Sequence, residues 1–240
     1  AETPETEDQA RRVEDFMNYQ ITTVMDEYTP EMDQLLFYLP LAGTAFKKVY
    51  YDVNKQRAVS TFVPVEDLVV PYTASDLATC ERVTHVVKMS YNEIRAQQLA
   101  GFYRDIPLQP AETSISSNTT EKEDELEGLS ATGNDMMYEF LECHVSMDMP
   151  GFEDEDGYHL PFIITVDRAS NEVLSIRRNY NPNDPLRTKI QYFVHYKFLP
   201  GLGFYGFGLI HMIGGLSRTA TGALRQLIDA GTLANLPAGF

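Results

Sequence analysis

The chain has 240 residues, which at about 150 residues per domain gives one large domain or two small ones. Hydrophobic residues at 43% and aromatics at 11% exclude a wholly disordered chain, because this much apolar surface offsets the entropy of ordering. Nineteen Lys and Arg against 35 Asp and Glu leave a net charge of −16, a field that repels phosphate backbones and disfavours a protein that coats nucleic acid.

Cys80 and Cys143 are too few for a secreted disulfide framework and fit a reducing compartment as buried thiols. No apolar run reaches the roughly 18 residues of a membrane span, and the acidic start AETPETEDQA is unlike a signal peptide. The chain opens on Ala1 and stops at Phe240 without a helix cap or polar tail, so it reads as a piece of something longer.

From Glu7 to Tyr28, Val13, Phe16, Met17, Ile21, Val24, Met25 and Tyr28 recur at steps of three and four, the stripe of an amphipathic helix that Pro30 ends. A short helix through Met32, Leu35, Leu36 and Leu39 follows, closed by Pro40 and Gly43. The period then changes to two: Phe46, Val49 and Tyr51, the turn DVNKQR, and Val59, Thr61 and Val63 predict a β-hairpin. Arg82 to Met89 reads as a strand. Ser90 and Glu93 form a capping box ahead of a helix from Tyr91 to about Phe102.

Between Ile106 and Asp135 the chain is rich in Pro, Ser, Thr and acids and offers no core face, which predicts a mobile loop or peripheral insertion. Tyr138 to Met149, Pro161 to Arg168, Glu172 to Tyr180 and Thr188 to Leu199 read as four strands of an antiparallel meander. GLGFYGFG then leads into a long apolar helix from about Gly208 to Leu236, before Pro237 and Gly239. Gly214 and Gly215 inside it each cost about 1 kcal/mol relative to Ala, so close packing or a bend is the expected return.

Gly201, Gly203 and Gly206 spell G-x-G-x-x-G between a strand and a helix, the setting of a dinucleotide site. The second parallel strand with its acid is missing, and Leu202, Phe204 and Tyr205 are bulky where a pyrophosphate must approach; the competing reading is a flexible elbow of glycines and aromatics. EDED before Gly157 fails the calcium-loop register, since Phe152 and Ile163 would fall on ligand positions, and reads as a solvated hairpin tip. Cys80, His85, Cys143 and His144 are zinc-type ligands, but their spacing points them to opposite strand faces. There is no nucleophile elbow and no phosphate-binding loop. The residues thus lean towards a structural or assembly protein.

The segment from Leu199 to Phe240, LPGLGFYGFGLIHMIGGLSRTATGALRQLIDAGTLANLPAGF, resembles the stem-entry region of portal proteins of short-tailed bacteriophages. There a Gly- and Tyr-rich elbow leads into a long helix ending at Pro-x-Gly, as at Pro237 to Gly239. FVPVEDLVVPYTASDLATCERVTHVVKMSYNEIR is similar to the wing region of the same family. The resemblance runs from about Phe37 to Arg104 and from Pro161 onward, leaving the acidic insertion outside it.

The resemblance implies a ring of identical subunits, a dodecamer, at one capsid vertex, through which double-stranded DNA passes without sequence-specific binding. Its implied partners are capsid and scaffolding protein, with the terminase large subunit and tail adaptors docking through parts beyond this chain. The clip, the return stem helix and the crown would lie after Phe240. Residues 1–199 would be a wing-like α+β region, with the acidic insertion at 106–135, and residues 200–240 the elbow and stem helix.

The fold class expected is therefore α+β: N-terminal helices, a mainly antiparallel β region and a long C-terminal helix. The role expected is channel formation in a virion, reached from the host cytoplasm during assembly, with no catalysis, cofactor, metal or membrane; a nucleotide-binding enzyme domain using GLGFYG or another virion scaffold is the alternative. A strongly acidic wall lets phosphates slide past without the counterion release that drives binding. The predicted elbow is Gly201, Gly203, Gly206 and Gly208. Arg218 and Arg225, seven apart, share a helix face and either pair with acids of a neighbouring subunit, line the channel or are ordinary solvated arginines.

Overall fold

The computed structural model of the chain describes residues 3–108, 137–152 and 157–235. The acidic stretch from residue 109 on, EDED at 153–156 and the Pro237 to Gly239 terminus lie outside the described residues. The fold is α+β, as expected, with helices at the N-terminus, two antiparallel sheets and a long C-terminal helix. No helix among the described residues is long and apolar enough to cross a membrane. The sequence order divides at 199/200, whereas the contacts group residues 1–65 with 193–240, and 66–192 with one another.

In the first unit, α1 (Pro4–Tyr19) starts on a Thr3 capping box. The single helix expected from Glu7 to Tyr28 is broken. The Thr22 hydroxyl donates back to the Asn18 carbonyl at 2.6 Å, a π turn spans Gln20–Val24, and Met25 leaves helical geometry. Pro30 does not end a helix but lies in the first turn of α2 (Tyr28–Ala42), where its missing N–H costs nothing. Val13, Phe16 and Met17 of α1 are exposed, so the apolar stripe read there meets no core.

β1 (Thr44–Asp52) and β2 (Arg57–Val63) form the predicted hairpin, and β8 (Phe193–Lys197) pairs antiparallel with the other edge of β1. Thr44 to Lys47 are all buried, because this half of the central strand is covered on both faces; Val49 and Tyr51 are exposed. Phe46 stacks on His195 and Phe204 at 4.8 and 6.0 Å between ring centroids. Lys47, only 2% exposed, lies 4.2 Å from the Tyr28 ring; burial lowers its pKa, and the Glu31 and Glu27 charges oppose that. Glu31 also accepts the Phe62 N–H, and Arg57 pairs with Glu27 at 2.7 Å, so α2 shields the β2 edge from further strand pairing.

The second unit holds a five-stranded antiparallel sheet of order β3-β4-β5-β6-β7, with β3 (Leu68–Val69), β4 (Arg82–Met89), β5 (Tyr138–Met147), β6 (Leu160–Asp167) and β7 (Val173–Arg178). α3 (Tyr91–Leu99) starts on the predicted capping box, Ser90 N–H to Glu93 at 2.8 Å, and stops three residues short of Phe102 as Gly101 turns at φ 74°. Ile94, Tyr103, Tyr138, Phe140 and Leu174 pack as one cluster.

Of the four strands read as one meander, β5, β6 and β7 are successive neighbours. The fourth is β8, which leaves that sheet to pair with β1. Alternation marks a strand but does not say which edge it joins.

Candidate functional site

The chain leaves β8 through residues 198–208 and enters α4 (Leu209–Asn235), a helix of 27 residues and so about 40 Å long. The entry is a close backbone joint. Gly43 ends α2 at φ 85°, its N–H donating to the Leu39 carbonyl at 2.8 Å, and its own carbonyl accepts the Phe198 N–H at 3.0 Å. Next to it, the buried Thr44 hydroxyl accepts the Gly206 N–H at 2.7 Å. Leu199 and Phe207 exchange backbone hydrogen bonds at 3.3 and 2.8 Å, closing the loop on itself.

The predicted elbow glycines divide by what surrounds them. A Cβ on Gly206 would stand 2.5 Å from the Gly43 carbonyl oxygen, and one on Gly208 2.3 Å from that of Leu41; one on Gly201 would stand 2.6 Å from that of Tyr205. Gly203 has nothing within 4 Å. Three of the four thus serve contacts inside the chain, and the strand before them lies in an antiparallel sheet instead of the parallel βαβ unit of a dinucleotide site. The Lys197 ammonium donates to the Gly203 carbonyl at 3.2 Å, and His211 Nδ1 accepts the Gly208 N–H at 3.2 Å at the start of α4.

Along α4 the apolar stripe is in solvent: Leu216 is 72%, Leu224 62% and Leu227 71% exposed, with Ile210, Ile213 and Ile228 alike. At 3.6 residues per turn, Leu209, Ile213, Ala220, Leu224 and Leu227 fall on one side. Arg218 and Arg225, about 20° apart, fall on the opposite side with Asp229 and His211. The close packing expected in return for Gly214 and Gly215 is not found among the described residues. The helix is continuous, and a Cβ would meet only Ile210 at 3.8 Å from Gly214 and nothing from Gly215.

Elsewhere, the zinc-type residues do not converge on one site: the register of β4 and β5 sets His85 and His144 on one sheet face and Cys143 on the other. Cys80 donates to the Arg82 carbonyl at 2.9 Å, Cys143 lies 3.6 Å from the Thr84 hydroxyl, and His144 pairs with Glu142 at 2.7 Å. Among the described residues no three His, Cys, Asp or Glu could hold a metal ion. The buried Glu142–His144 pair was not evident in the sequence; alternation on β5 places both on one face, with Arg177 at 3.9 Å from Glu142. Gly43 reads in the sequence only as a helix stop, and nothing in the sequence marks Thr44 as the acceptor of the Gly206 N–H. No family model matches the chain, and no curated protein matches it.

Proposed function

We propose that this chain is a structural subunit of a phage portal ring, contributing wing-like sheets and the outgoing stem helix of a channel for double-stranded DNA. The observation that carries the reading is α4: a helix about 40 Å long, held at one end and exposing an apolar stripe along its length. An exposed apolar stripe of this size marks an interaction surface, and a ring covers every copy's stripe in the same way. The resemblance of the elbow and helix to portal stem entries, and of Phe62 to Arg95 to the portal wing, supplies the ring, the dodecameric number and the DNA. Its role is assembly and DNA passage in the virion, with no catalytic step; terminase, tail adaptors, capsid and scaffolding protein are the partners the reading assigns.

The placement of Arg218 and Arg225 opposite the stripe leaves them out of the contact that buries Leu216 and Leu224. Changing both to Ala is expected to leave the oligomeric mass unchanged while DNA packaging falls if they line the channel; a loss of assembly would place them at the subunit contact instead. The reading itself is tested by negative-stain electron microscopy of the natural protein that carries this sequence. Closed rings with a central hole wide enough for duplex DNA are the expected result. Monomers that bind a dinucleotide saturably would overturn it in favour of the GLGFYG alternative.

A further inference from the structure

We infer that the direction of α4 is fixed inside the chain by a clasp of close backbone contacts and one Thr44 hydroxyl, centred on Gly43 and Thr44, so that the helix is aimed before anything covers its stripe. A glycine-rich link ahead of a helix ordinarily behaves as a hinge, because glycine has the widest choice of backbone conformation. Here that freedom is used up. The chain entering the loop is tied to Gly43 through the Phe198 N–H, and the chain leaving it is tied to Thr44 through the Gly206 N–H at 2.7 Å.

Backbone lies on backbone at both crossings, since even a Cβ would overlap at Gly43, Gly206 and Gly208 with atoms 2.3 to 2.5 Å away. Contacts of this kind have no rotamer through which to adjust, so a swing of α4 must break hydrogen bonds instead of repacking side chains. The Leu199–Phe207 bridge closes the loop between the two ties. Only Gly203, at the open tip, keeps its freedom. The clasp does not depend on the ring reading, as all its parts lie in one chain.

The test is the intrachain distance between spin labels at Lys55→Cys and Gln226→Cys, both exposed, measured by double electron–electron resonance in a Cys80→Ala, Cys143→Ala background diluted with unlabelled chain. One narrow distribution is expected, unchanged by Gly203→Ala. Gly208→Ala is expected to shift it. Thr44→Val, which keeps the strand residue's shape and removes only the acceptor, is expected to broaden it at least twofold. A broad distribution in the parent chain, or one that neither Gly208→Ala nor Thr44→Val alters, would overturn the inference. Oligomeric mass is read separately on the same samples, so loss of the clasp and loss of the ring are distinguishable.

Discussion

Gly43→Ala is expected to destabilise the first unit by about 2 to 5 kcal/mol, among the largest effects of any single methyl group in this chain. Two causes add. Gly43 adopts φ 85°, where an L-residue costs about 1 to 2 kcal/mol. The new Cβ would also stand 2.3 Å from the Gly208 nitrogen and 2.5 Å from the Phe207 carbonyl carbon. Both are backbone atoms, so relief requires the clasp to open. Gly101→Ala separates the causes, because Gly101 has φ 74° but open space around it, and only the first cost of about 1 to 2 kcal/mol applies. Amide hydrogen exchange of β1, β8 and the first turn of α4 checks the difference. Equal losses of protection in the two variants, each read in its own unit, would contradict the close approach.

The second large effect is expected at the stripe. Leu216→Asp with Leu224→Asp should abolish self-association of the natural-length protein while leaving its secondary structure and the clasp intact. Both side chains are mostly in solvent, so the monomer loses little by their replacement. In an assembled interface each leucine buries a side chain worth about 1.5 to 3 kcal/mol, and each aspartate adds a charge that must be desolvated without a partner. Sedimentation velocity distinguishes the outcomes: a monomer is expected from the double variant, and an unchanged assembly would remove α4 from the interface.

The features legible in the sequence were those whose causes are local. The Ser90–Glu93 box, the β1–β2 hairpin and the limits of β4 follow from residues within a few positions of one another, and the structure places them as read. The break at Gln20–Val24 was hidden, because the apolar period continues through it while the Thr22 hydroxyl draws the backbone out of register. The partner of β8 and the meeting of Gly206 with Thr44, 162 positions apart, are products of topology that no local pattern encodes. G-x-G-x-x-G is the same string whether its glycines admit a phosphate or another stretch of backbone; only the neighbour decides, and here it is Tyr205 for Gly201 and Gly43 for Gly206. The length of α4 could be read from its period, but periodicity does not say whether a stripe meets a core or solvent.

On the proposed reading, α4 carries the contact between copies of this protein. Native mass determination of the natural-length protein across a hundredfold range of concentration tests it most directly. A single closed multiple of the subunit mass that collapses to one subunit in Leu216→Asp, Leu224→Asp is the predicted result. One subunit mass at every concentration, or a multiple indifferent to both leucines, would contradict it.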